Sequence, residues 1–98
     1  MDIFEHLYDQ TESTKVRFLG LASKDSRYDF GVVFTKQFFG KPLVICMQTG
    51  RSTLMCSEEA QSVEHIQKAF NIENEKEANE LSEFFQHHLP SMPLDAQY

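Results

Sequence analysis

The feature that most constrains this chain is a change of period. Between Lys15 and Ser57 the apolar residues come in short runs of β type broken by turn residues, and from Glu58 to Leu89 they recur at helical spacing in an acidic background. Strands in one part and helices in the next, each apolar on one side, bury those sides by stacking as two layers. The expected class is α+β: a four-stranded antiparallel meander followed by a C-terminal helical hairpin packed on one face, a two-layer sandwich. A chain of 98 residues sets a single domain that buries roughly 60–70% of the surface its unfolded form exposes.

The first strand is read over residues 15–22, ended by the polar turn Ser23-Lys24-Asp25-Ser26-Arg27. The second, 28–35, sets Tyr28, Phe30, Val32 and Phe34 against Asp29, Gly31, Val33 and Thr35, so its aromatic face should meet the core. Pro42 opens a third strand through Gln48 that is apolar on both faces and therefore central. Thr49-Gly50 signals a hairpin into a fourth strand, 51–56. At the start of the chain, Ile3, Phe4, Leu7 and Tyr8 have the spacing of one or two helical turns, with a short strand through Leu7 and Tyr8 as the alternative.

Ser57 is the expected N-cap of the first helix, with Glu58 and Glu59 in the turn where the helix dipole favours acids. Its stripe is Ala60, Val63, Ile66, Ala69 and Phe70, and Glu64 and Lys68 form an i, i+4 pair. After a break at Asn71-Ile72-Glu73, Asn74 caps a second helix, with Glu77 placed to reach back to it. The second stripe is Ala78, Leu81, Phe84, Phe85, His88 and Leu89, and Pro90 ends it. The domain is expected over 1–89, with 90–98 a flexible tail.

Composition excludes several classes. With 41% hydrophobic residues and nine phenylalanines, the chain can offset its ordering entropy. No stretch approaches the roughly 20 apolar residues of a membrane span, and the opening Met1-Asp2-Ile3-Phe4-Glu5-His6 is acidic where a signal peptide is basic. A cytoplasmic protein is expected. The net charge of −6 is uneven: Met1 to Cys56 carries six acids and seven bases, Ser57 to Leu89 eight acids and two bases. An acidic helical face disfavours nucleic acid and anionic lipid and attracts a basic partner.

The candidate reactive residues are few. Cys46 and Cys56 flank one hairpin; a three-residue Gly50-Arg51-Ser52 loop would set them opposite each other, whereas a Thr49-Gly50 turn would pair Cys46 with Thr53. Both lie in apolar strands, where cysteine behaves as a small hydrophobe with a raised pKa. His6, His65, His87 and His88 have no ligand spacing with an acid or thiol, so no metal and no cofactor is expected. The four glycines are scattered singly and form no phosphate loop. Lys15, Arg17, Lys41 and Arg51 are spread along the sheet half without clustered aromatics, a weak signal for nucleic acid. Phe38 and Phe39, adjacent in a loop, either fold over the open end of the core, the preferred reading, or stand out as a contact patch.

Leu7-Tyr8-Asp9, Thr14-Lys15-Val16-Arg17-Phe18, Gly40-Lys41, Gln48-Thr49-Gly50-Arg51 and the Glu-rich helical hairpin carry a resemblance. In this order they resemble a family of small uncharacterised cytosolic proteins of Gram-positive bacteria, a domain of unknown function. The likeness runs to Leu89 and leaves out the tail from Pro90. It implies no activity; Arg17 and Arg51, inside the shared stretches, gain as interaction residues.

No convergent set of acid, base and nucleophile is legible, so the first expectation is a non-catalytic protein-binding or regulatory module, monomer or homodimer, contacting its partner through Arg17, Arg51, Phe38 and Phe39. The alternative is a thiol-based enzyme or redox sensor using Cys46 or Cys56 with His65 as base. A third reading is an acidic mimic of nucleic acid, resting on the charge of the helical part alone.

Overall fold

A computed structural model describes residues 3–91 of the chain. The elements are β1 (Val16–Ala22), β2 (Arg27–Val33), β3 (Leu43–Cys46), β4 (Ser52–Leu54), α1 (Val63–Phe70) and α2 (Glu75–His88). The strands form one antiparallel sheet in the order β1-β2-β3-β4, and both helices pack on one face of it, as the change of period requires. The interior place of β3 follows from its composition: Val44 and Cys46 face the helices, and Leu43 and Ile45 face away.

The core is centred on three aromatic rings. Phe30 of β2 meets Phe85 of α2 edge-on at 4.9 Å and Phe70 of α1 at 5.2 Å. Val32, Val44, Ile66 and Leu81 complete the layer between sheet and helices with no exposed surface or almost none. The stripes read from the helical period are the buried sides: Ile66 and Phe70 on α1, Ala78, Leu81 and Phe85 on α2, with Leu89 just beyond. The Ser82 hydroxyl, also buried, donates to the Ala60 carbonyl and fixes α2 against the segment before α1.

Three expectations are corrected. Ser57 does not cap the first helix: its hydroxyl lies 2.9 Å from that of Ser91, and its N–H donates to the Pro90 carbonyl at 3.0 Å. The acidic stretch instead makes a single 3-10 turn, Glu59–Gln61, after which Ser62 turns extended and its side chain accepts from the His65 N–H to begin α1. Asn71 then ends α1 in the left-handed conformation, which asparagine tolerates better than most residues. The hairpin joining β3 to β4 follows neither expected register. Cys46 N–H donates to the Arg51 carbonyl at 2.8 Å and Gly50 N–H to the Cys46 carbonyl at 2.7 Å, closing a loop through residues 47–50. Gly50, at a φ of 78°, supplies the left-handed residue at the end of that loop, so Cys46 lies opposite Arg51 and Cys56 lies beyond β4. The start of the chain is neither helix nor strand. Residues 3–15 run as irregular chain up to β1, with Ile3, Phe4, Leu7 and Tyr8 exposed, since seven or so residues without a packed face form no stable helix.

At the other end, the Ser57 and Ser91 hydroxyls are 2.9 Å apart, which holds the chain after Pro90 against the sheet layer. The rest of the expected tail, from residue 92, lies outside the described residues.

The sheet face turned away from the helices is unusually apolar. Register places Val16, Val33, Leu43 and Leu54 in one cross-strand row and Phe18, Gly31 and Ile45 in the next, all on that side. A β-carbon at Gly31 would sit 3.6 Å from the Phe18 ring and from the Met47 sulfur, so Gly31 is the floor over which these two side chains lie.

Candidate functional site

Between β2 and β3 the chain makes a turn that L-residues rarely adopt. Phe38, Phe39 and Gly40 are all left-handed, at φ values of 54°, 62° and 78°. The turn is held by Gly40 N–H donating to the Gln37 carbonyl at 3.1 Å and Lys41 N–H to the Phe38 carbonyl at 3.2 Å. Left-handed backbone costs a residue with a β-carbon about 1–2 kcal/mol, and here two bulky aromatics carry that cost. The pair does not fold over the core, contrary to the preferred sequence reading: Phe38 is 50% and Phe39 79% exposed. Met55 and Pro42, buried and joined by a backbone hydrogen bond at 3.0 Å, already fill that end of the core.

The base of the turn is tied to the segment before β1. The Glu12 carboxylate accepts from the Thr35 hydroxyl at 2.6 Å and from the Lys36 N–H at 2.5 Å, and Thr14 donates to the Phe34 carbonyl. Those donors hold Glu12 below the ordinary carboxylate value, the Thr35 bond first.

The two candidate arginines stand apart from each other. Arg17 lies on β1 and donates to the His88 carbonyl at 3.4 Å, placing its charge at the C-terminal end of α2 where the helix dipole favours a cation. Arg51 lies in the loop before β4, exposed, and its guanidinium has no partner among the described residues. Three strand spacings, about 14 Å, separate the strand bearing Arg17 from that next to Arg51. The aromatic turn shares the sheet end of Arg17, and Arg51 occupies the other end.

Neither thiol is placed for chemistry. Cys46 is 1% exposed and points to the Gln48 side-chain oxygen at 3.7 Å. Cys56 is buried, and its thiol donates to the Glu59 carboxylate at 3.6 Å, while Glu59 also pairs with Lys41 at 2.7 Å. Burial pushes the Cys56 thiol up, the opposite of what a nucleophile needs. Among the described residues no hydrogen bond joins His65 to either cysteine, and its Nε2 is enclosed without a partner. Iodoacetamide is therefore expected to alkylate neither thiol of the folded protein at the rate of free cysteine, with both reacting once urea is added; rapid labelling when folded would restore the thiol reading. The rings of His87 and His88 bond to backbone carbonyls one turn back, at 2.8 Å each. Among the described residues no group of three or more His, Cys, Asp or Glu could hold a metal ion.

One cluster went unread in the sequence. Glu77, on the first turn of α2, donates its N–H to the Asn74 side-chain oxygen at 3.0 Å, but its carboxylate does not reach back to the cap as expected. It accepts from the Tyr28 hydroxyl at 2.7 Å and from the Ser26 hydroxyl, joining the start of α2 to the β1–β2 hairpin. The cleft beside it encloses about 40 Å³, against the roughly 300–1,000 Å³ of small-molecule sites. This is a structural tie. The bonds from Ser26 and then Tyr28 hold Glu77 below the ordinary value of 4.5, so its contribution to stability is present above that pH and lost as pH falls through the folded value. Burial, then Glu77, pushes Tyr28 up to about 12, so its contribution is full below 10.0 and lost as pH rises towards 12. Stability measured from pH 7 into acid should fall more steeply for the parent than for Glu77→Gln; parallel curves would show that the tie contributes nothing.

Comparison with curated proteins finds no match. The sequence profile of one family covers residues 7–87, a span that includes the aromatic turn, both arginines, all four strands and all but the last residue of α2. On that coverage the chain belongs to the SAV0927-like family.

Proposed function

We propose that this chain is a small non-catalytic protein-binding or regulatory module of the bacterial cytoplasm, contacting a protein partner through the Phe38-Phe39 turn. The observation that carries the reading is the pair itself: two adjacent aromatics, 50% and 79% exposed, kept in left-handed backbone. Strain of that kind is retained where a site uses it, and exposed aromatics are the residues that anchor interfaces. Arg17 and Arg51 flank the sheet at its two edges as polar contacts, Arg51 with its guanidinium unengaged.

The electrostatics favour a basic protein over nucleic acid or a membrane surface, since eight acids and two bases lie between Ser57 and Leu89. Placement in the cytoplasm belongs to the same proposal and rests on the resemblance to small cytosolic proteins; among the described residues, no helix is long and apolar enough to cross a membrane. Burial of both thiols weighs against a cysteine enzyme.

Affinity capture with the parent and with Phe38→Ser/Phe39→Ser and Arg51→Glu baits tests the proposal. One protein should be retained by the parent in stoichiometric amount, weakened by salt, lost with the double serine variant and reduced with Arg51→Glu. Equal retention by all three baits would remove the aromatic turn from the interface, and turnover of a small molecule abolished by one substitution would replace the binding reading with an enzyme.

A further inference from the structure

The chain leaves two apolar surfaces without a partner, and they fit each other. The first is the sheet face away from the helices, where register sets Val16, Phe18, Val33, Ile45 and Leu54 on one side, Val33, Ile45 and Leu54 being partly buried, and Met47 lies beside Phe18 over Gly31. Phe18 is 75% and Met47 52% exposed. The second is the segment 3–9, with Ile3 85%, Phe4 77%, Leu7 81% and Tyr8 66% exposed. We propose that the protein is an arm-exchanged homodimer, in which residues 3–9 of each copy lie across the outer sheet face of the other.

The arm is fixed at its root and free at its tip. Glu12 and Thr14 bond to residues 34–36, and Gln37 donates to Gln10, whereas residues 3–9 make no hydrogen bond or ring contact among the described residues. The segment therefore projects from the body instead of covering its own sheet. The radius of gyration reflects this, 15.2 Å against roughly 12–13 Å for a compact chain of this length.

Reach and area both allow the exchange. Seven extended residues span up to about 23 Å, and four strands are about 14 Å across, so one arm can cross the whole face. A flat face of these strands offers roughly 300 Å², well short of the roughly 800 Å² per partner of a stable interface. Four arm side chains of this size add roughly 500 Å², which brings the total to that standard. Charge agrees as well: residues 3–9 carry Glu5 and Asp9 with no lysine or arginine, and residues 10–56 carry seven bases against three acids. A second copy is the occupant that buries all four surfaces through one two-fold operation, because each chain carries both halves of the contact.

Light scattering on the full chain across a concentration series tests this, with far-UV circular dichroism to confirm folding. The parent should have twice the mass of 11.4 kDa. Phe18→Asp, Met47→Asp and the arm variant Phe4→Asp/Leu7→Asp should each fall to half, and Phe39→Ser, in the separate aromatic turn, should stay paired. Phe18 and Met47 serve as two independent probes of the face should one variant fail to fold. A parent that stays at the mass of one chain throughout would overturn the proposal, and so would an arm variant that remains fully dimeric, since the face would then pair without the arm. The retention of Phe39→Ser as a dimer also separates this surface from the partner contact of the turn: either can fail while the other holds.

Discussion

Phe85→Ala is expected to remove about 3–5 kcal/mol of folding stability, as large-to-small changes at fully buried aromatics do. Phe85 has no exposed surface and sits edge-on against Phe30 at 4.9 Å and within 6.0 Å of Phe70. Truncation opens a cavity where the second helix, the first helix and the sheet meet, and the loss is a large share of the roughly 5–15 kcal/mol available to a domain. Urea unfolding should show a much lower midpoint with a similar slope. Glu80→Lys, on the exposed side of the same helix, should change stability by less than about 0.5 kcal/mol. A Phe85→Ala protein as stable as its parent would mean that α2 is not docked on the sheet, and the two-layer arrangement would fall.

The second large effect is expected at Phe39, and it has opposite signs for folding and for binding. The side chain is 79% exposed and its φ is 62°, so glycine gives up little packing and relieves the left-handed backbone. Relief of about 1–2 kcal/mol, set against a glycine entropy cost of about 0.5–1 kcal/mol, leaves a net effect between about zero and about 1.5 kcal/mol in favour of glycine. If Phe39 anchors a partner, the same change should weaken binding by at least about 2 kcal/mol, a factor of about 30. A residue kept against stability is the kind of local inconsistency that function explains.

Where sequence and structure agree, the reason is periodicity. Of the helical stripe read between Asn74 and Pro90, Ala78, Leu81, Phe85 and Leu89 are buried and Phe84 and His88 partly so, because a 3.6-residue period has one solution against a flat face. The doubly apolar β3 was likewise placed inside the sheet by its composition. The failures are at positions where local chemistry offers near-equal choices. Ser57 and Ser62 are both good caps, and the Ser57 hydroxyl is engaged by Ser91, 34 residues away, while Ser62 accepts from the His65 N–H. Gly50 supplies a left-handed residue to a hairpin of any of several lengths, so it signals a turn without setting the register. Glu77 has the spacing of a capping box, and the competing hydroxyls of Tyr28 and Ser26 are 49 and 51 residues away in the chain.

The candidate surface was legible only as residue types. Two neighbouring phenylalanines are buried more often than not, and nothing in their sequence context announces three successive left-handed residues. Arg17 read as an exposed base and is one, and its position opposite Val32 brings it to the end of α2 as well. The apolar arm had the spacing of a short helix, but so few residues without a packed face form no stable helix, and Ile3, Phe4, Leu7 and Tyr8 stand exposed.

On the proposed function, the left-handed Phe38-Phe39 turn is kept for contact with a protein partner. The most direct test is to measure urea stability and partner retention on the same Phe39→Gly protein. The predicted result is stability equal to or above the parent with the captured partner lost. A variant that is clearly less stable, or one that retains the partner as the parent does, would contradict it.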